Sequence, residues 1–168
     1  DKENKRYKLN IDVRFKSNSS NINDIPKKTR IGLGNAGKNL YYKVKSIIDT
    51  SQTVDYLLII EGNAQRSNNN WVRNPNMGYN LSYKRALSLF NYWKRMGADF
   101  NSLGSQCEVI LAGSGYFSHS RDEENENNNR RFTIQVTSKV GKFFHKIEEP
   151  LEVEINKNET SFFENMFK

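Results

Sequence analysis

The stretch "LNIDVRF" alternates apolar and polar residues, which places Leu9, Ile11, Val13 and Phe15 on one face of a half-buried strand. A polar loop, "KSNSSNINDIP", follows and closes at Pro26. From Leu33 the period lengthens. Leu33, Ala36, Leu40, Tyr41, Val44, Ile47 and Ile48 recur at three- and four-residue spacing, the stripe of an amphipathic helix. "VDYLLIIEG" is a continuous apolar run bounded by turn residues and predicts a buried central strand. A second helix begins at "NLSYKRALSLFNYW", with Asn80 as its N-cap. Leu81, Ala86, Leu89, Phe90, Trp93 and Met96 form its inner face, and Gly97 stops it. "CEVILAGSGY" predicts a third strand, and a charged, Asn-rich loop, "FSHSRDEENENNN", leads on from it. In "RRFTIQVTSKV", Phe132, Ile134 and Val136 share a face and give a fourth strand. The order β-α-β-α-β-β predicts an α+β domain, with two main helices packed on one face of a mixed four-stranded sheet.

A chain of 168 residues suits one domain with a substantial core. The apolar fraction, 36%, is low for a globular chain, and the deficit sits in Asn/Ser/Lys-rich loops between plainly apolar segments. No run approaches the roughly 20 apolar residues of a membrane-spanning helix. "DKENKRYKLN" has no apolar core of the kind a signal peptide needs. The chain is therefore expected to be soluble, processed, or cut from something longer.

The net charge of +7 is uneven: Gly141–Lys168 hold four Lys against six Glu, leaving +9 on residues 1–140. A basic body suits nucleic acid, an anionic membrane or an anionic polymer such as cell wall; a solvated Lys-rich surface accounts for it equally well. The single Cys107 excludes an internal disulfide and, in an apolar strand, reads as a buried inert thiol. His119 and His145 have no second ligand at useful spacing, so no metal site is expected. "GSGY" at Gly113–Tyr116 precedes no helix and reads as a tight turn rather than a phosphate loop. No nucleophile, base or carboxylate pair with a supporting frame points to an enzyme, and no cofactor is implied.

This element order, with four local patterns, resembles the OmpA-like peptidoglycan-binding domain over roughly Leu9–Thr137. "LSYKRA" at Leu81–Ala86 matches the family's L-S-x-x-R-A, and "NRRFTIQV" at Asn129–Val136 its N-R-R before the last strand. "VRFKSNSSNI" is similar to the first strand and loop, and "IIEGNAQ" stands where the family has I-x-G-H-T-D. The resemblance implies an OmpA-like sandwich over residues 1–139 and a C-terminal extension, 140–168. It also implies that Arg85 grips the diaminopimelate of a peptidoglycan stem peptide. A planar guanidinium pairs bidentately with that residue's carboxylate, while an aspartate suits its ammonium. Read as a first-turn residue, Arg85 would also gain from the helix N-terminus. On its own, an arginine here would be read as an ordinary surface residue.

By matched position, Asn63, Ala64, Gln65, Ser17, Asn18, Asn80 and Arg130 would line or support the same pocket. Ser17 and Asn18 read equally well as an ordinary turn. Arg131 should alternate to the face opposite Arg130. The family's acid is replaced by neutral Gln65, which accepts a hydrogen bond without a counter-charge and should weaken the grip by about 1–2 kcal/mol. Glu61 would replace it only after a register slip that strand periodicity opposes. Gly78 stands where the family has asparagine, with Asn76 and Asn80 close by. The loop before the second helix is long and carries Trp71 and Arg73.

Three functions compete. The first is a non-catalytic module that binds peptidoglycan stem peptide on the periplasmic side of a bacterial envelope and anchors a membrane protein or complex. "NLSYKRALSLFNYW" and the long loop are similar to the stator-associated, MotB-like branch, whose members act as dimers; the chain would then follow a transmembrane helix. The second is a degenerate OmpA-like domain that serves assembly, favoured if Arg85 is buried or paired with a protein carboxylate. The third, a nucleic-acid binder, rests on charge alone and lacks stacking aromatics in a recognised motif. In the extension, "PLEVEI" alternates like an edge strand and "TSFFENMF" fits a short helix capped by Thr160 or Ser161. Its Phe162, Phe163, Met166 and Phe167 are expected to dock on the domain.

Overall fold

The computed structural model describes residues 7–9, 13–50, 54–66, 74–119 and 121–138; the C-terminal extension, Trp71 and Arg73 lie outside them. The elements are β1 (Tyr7–Leu9), α1 (Lys27–Thr50), β2 (Tyr56–Gly62), α2 (Pro75–Arg95), β3 (Cys107–Gly113) and β4 (Phe132–Ser138). They build one four-stranded sheet in the order β1-β4-β2-β3, with β4 antiparallel to both neighbours and β2 parallel to β3. The expected α+β architecture is present.

Register lines up the inner face. Leu58 pairs with Val109 and Val136, and Ile60 with Leu111 and Ile134. Leu58, Ile60, Ile134 and Val136 are buried beneath Leu33, Val44 and Ile48 of α1 and Ala86, Leu89 and Trp93 of α2. Val13 and Phe15, just after β1, join this core, and the Phe15 N–H donates to Arg130 O at 3.0 Å. The run "YLLIIEG" is central, but only alternate residues on it are fully buried, because both helices lie on one face.

Both helices start earlier than their apolar stripes indicate. α1 begins at Lys27, directly after Pro26. α2 begins at Pro75, a favoured first helical residue, and its N-cap is Asn74 rather than Asn80; the Asn74 side chain accepts from Asn76 N–H. The prolyl φ is pre-set for a first turn, so "PNMGY" extends the helix where the sequence suggests loop. Gly97 does end α2. With φ +90° it closes a Schellman motif, in which Ala98 N–H donates to Trp93 O and Gly97 N–H to Lys94 O.

The helix faces are also wider than predicted. Leu40, Tyr41, Phe90 and Met96 are only partly buried, whereas Gly34, Gly37, Gly78, Ser82 and Arg85 are buried. A Cβ on Gly37 would lie 2.4 Å from the Trp93 ring, and one on Gly62 1.9 Å from Ser82 O. Absent side chains let α1 and the end of β2 approach α2.

Candidate functional site

Arg85 is the eleventh residue of α2, three turns from its N-terminus, so the helix-terminus contribution expected of a first-turn residue does not apply. It lies on the same inward stripe as Ser82, Ala86 and Leu89, and is 0% exposed. Its Nε donates to Ser19 O at 2.9 Å and its Nη1 to Asn63 O at 2.6 Å. The guanidinium carbon stands 5.0 Å from the centre of the Phe15 ring, within cation–π range. No carboxylate among the described residues pairs with it. Burial first, then the charge of Arg130, lowers its pKa to about 10, so it stays protonated at neutral pH.

The β2–α2 loop is tied down residue by residue. Asn63 N–H donates to Arg131 O, and its side chain donates to Thr133 Oγ1 and accepts from Ser114 Oγ. Ala64 N–H donates to Gly115 O, and Ala64 O accepts from Arg121 Nη1 at 3.1 Å. Arg66 N–H donates to Glu126 Oε2 at 2.9 Å, and Arg66 Nε to Tyr116 O at 3.2 Å. Arg121, itself buried, pairs with the same Glu126 oxygen through Nη2. Two buried arginines therefore hold successive carbonyls of one loop, Arg121 with a counter-ion and Arg85 without.

Asn63 and Ala64 are thus buried beside Arg85, and Gln65 follows them, half-buried. From the first loop it is Ser19 that touches Arg85; Ser17 and Asn18 are exposed on a turn closed by Ser19 N–H to Lys16 O, with Asn18 at φ +53°. Asn80 is exposed on α2, and half-buried Arg130 donates to Asn127 Oδ1 at 3.1 Å. Glu61 accepts from Ser118 Oγ and takes the opposite face of β2 from Gly62. "SGYF" is a tight turn, with Phe117 N–H donating to Ser114 O and Gly115 at φ +60°. Burial raises the Cys107 thiol to about 11.

The sequence pattern misses Ser19, Arg66, Ser114, Arg121 and Glu126. Ser19 is a backbone contact and leaves no residue-type signal. Arg121 and Glu126 sit in an Asn-rich charged run that looks solvated.

No protein-family model matches the sequence, and no curated protein matches it. Among solved structures the chain is similar to the OmpA-like domain of FopA1 from Francisella tularensis, at 15% identity and TM-score 0.49, over 80% of this chain and 74% of that one. It is also similar to the peptidoglycan-associated lipoprotein from Burkholderia pseudomallei, at 16% identity and TM-score 0.42, over 76% and 88%. The periplasmic domain of Helicobacter pylori MotB matches at 14% identity and TM-score 0.46, over 97% and 93%. Likeness at this level leaves the function to be read from the chain's own residues.

Proposed function

We propose that this chain is a non-catalytic module of the bacterial cell envelope. In this reading it holds a peptidoglycan stem peptide through a carboxylate at Arg85 and so anchors a larger membrane protein or complex, stator-type partners included, from the periplasmic side. The observation that carries the reading is a protonated guanidinium sealed among Phe15, Ser19 and Asn63 with no carboxylate beside it among the described residues. Buried charges are ordinarily paired. A ligand carboxylate would complete this one, in the bidentate geometry that guanidinium favours. The "LSYKRA" and "NRRFTIQV" resemblance supports naming the ligand.

Full burial of Arg85 favours a second reading, in which it is an internal strut that pins the first loop to the β2–α2 loop of an assembly module. Either burial or pairing with a protein carboxylate is expected to favour that role, and Arg85 is buried. Titration with a diaminopimelate-containing stem peptide, followed by NMR on the wild type and on Arg85→Lys, separates them. Anchoring expects shifts at Arg85, Asn63, Gln65 and Asn18 that shrink in the variant, because ammonium cannot reproduce the fork. An intact fold without shifts at millimolar peptide rejects anchoring and leaves the strut.

A further inference from the structure

α1 has a second stripe, opposite the buried one. Leu33, Gly37, Val44 and Ile48 face the core, while Lys27, Ile31, Lys38, Tyr42 and Lys45 share the far side at helical spacing. Ile31 is 50% exposed and Tyr42 61%. The helix holds six basic residues, Lys27, Lys28, Arg30, Lys38, Lys43 and Lys45, against one acid, Asp49, so its charge is +5. Asp49 is already paired with Lys45, at 3.0 Å. A basic helix with apolar side chains along its outer face suits an acidic, partly apolar partner.

The chain itself supplies that complement. Residues 147–155, "IEEPLEVEI", hold four Glu and no Lys or Arg, a charge of −4, and Pro150 opposes a helix through them. Extended, Glu148 to Glu154 spans about 20 Å, and Ile31 to Lys45 covers about 21 Å of helix. The route is short. Ser138 pairs with Tyr56 at the start of β2, six residues after α1 ends at Thr50, so β4 finishes near the Lys43–Lys45 end of α1. The nine residues 139–147 can reach about 30 Å.

We infer that residues 147–155 dock along the outer stripe of α1, setting Glu148, Glu149, Glu152 and Glu154 against its lysines and Leu151, Val153 and Ile155 on Ile31 and Tyr42. Lysine stems can lie along those apolar side chains and still bring the ammonium to a carboxylate. Each exposed ion pair contributes little alone, so the contact depends on several at once. The outer face of the sheet fits worse: Ile110 is exposed there beside Leu57 and Ile59, but Glu61 and Glu108 share that face and would repel an acidic segment. Such docking neither needs nor excludes a stem peptide at Arg85.

A nitroxide on Asn156→Cys in the full chain tests the contact by NMR; Cys107 is buried and should stay unlabelled, which mass spectrometry checks. In about 0.05 M salt the amides from Ile31 to Lys45 should lose most of their signal, and in about 0.5 M salt most of it should return. Changing Glu148, Glu149, Glu152 and Glu154 together to Gln in the labelled chain should restore it in low salt as well, with the fold checked by circular dichroism. Signal loss centred on Leu57, Ile59 and Ile110 overturns the inference in favour of the sheet. Loss that survives both salt and the Gln changes, or no loss on α1, overturns it outright. Loss in isotope-labelled molecules caused by separate nitroxide-bearing ones overturns it in favour of a second copy of the chain.

Discussion

Gly32 and Gly37 lie on the same helix, yet alanine should act on them with opposite sign. Glycine inside a helix costs roughly 0.5–1 kcal/mol relative to alanine. A Cβ on Gly32 meets nothing within 4 Å, so Gly32→Ala should collect that difference in full. On Gly37 it would lie 2.4 Å from Trp93 Cδ1 and Nε1. That ring cannot step aside cheaply: it is fully buried, packs on Phe100 at 5.8 Å, and donates from Nε1 to Leu33 O at 2.9 Å. Overpacking costs about 1–3 kcal/mol, and the buried Trp93 indole N–H left without its acceptor about 1–3 more. Less the helix gain, Gly37→Ala should destabilise by about 1–5 kcal/mol. Urea unfolding followed by circular dichroism measures both variants against wild type, with the m-value checking for a common unfolded state. A Gly37→Ala protein as stable as wild type would refute the close α1–α2 approach and the reason given for these glycines.

Glu126→Gln should destabilise by about 2 kcal/mol, because Arg121 keeps a buried charge without its partner; Glu126 is partly exposed, which moderates the loss. Burial pushes the Glu126 carboxyl up, but the Arg121 hydrogen bond and the Arg66 N–H outweigh it and hold the pKa below the usual range. Its contribution is therefore present above the unfolded value of roughly 4 and fades as pH falls further, so wild type and variant should converge in acid unfolding. Stem-peptide affinity should be flat from neutral pH to about 9 and fall as pH passes about 10, where Arg85 begins to lose its proton; calorimetry across this range tests it. A carboxylate ligand favours the protonated form, so proton uptake should accompany binding near that pH. Cys107, buried and with its pKa raised to about 11, should resist alkylation at pH 8 in the native protein and react on denaturation.

The last strand was legible because one covered face imposes a period of two, which Phe132, Ile134 and Val136 follow, and β2 because its apolar run is continuous. The first alternating stretch, expected as a strand over Leu9–Phe15, gives a strand among the described residues only at Tyr7–Leu9, and Val13 and Phe15 enter the core from outside any strand. Helix starts were not, because a stripe marks only where a helix meets the core, and Asn74-Pro75 was masked by Gly78 nearby. Gly78 is tolerated in α2 because the Tyr116 ring fills the space its Cβ would take, 2.5 Å away, a contact no local pattern reports. For Arg85 residue type alone was misleading. Its charge argued for the surface, whereas the structure buries it on the face that Ser82 and Leu89 share. In the first loop, register was readable to within one residue, the step from Asn18 to Ser19. The Arg121–Glu126 pair was hidden by composition, since a run of Asn and Glu looks the same whether solvated or holding a loop.

Replacing Arg85 by methionine brings the two readings of this site into conflict. Holding the Arg85 pKa at about 10, well below that of the free group, corresponds to roughly 3 kcal/mol spent on a buried charge. Methionine fills a similar volume without that cost, but leaves Ser19 O and Asn63 O without donors, at about 1–3 kcal/mol each. If water reaches the Ser19 side, where the adjoining turn is exposed, the second term is at its low end and the variant lies within about 1 kcal/mol of wild type. A site kept for a ligand has that signature: stability nearly unchanged and binding abolished. A strut joining two loops must instead lose about 3 kcal/mol or more, with fast amide exchange at residues 19 and 63. A stability loss of that size, with a wild type that also shows no shifts with peptide, would assign Arg85 to the strut, because the charge would then serve only the fold.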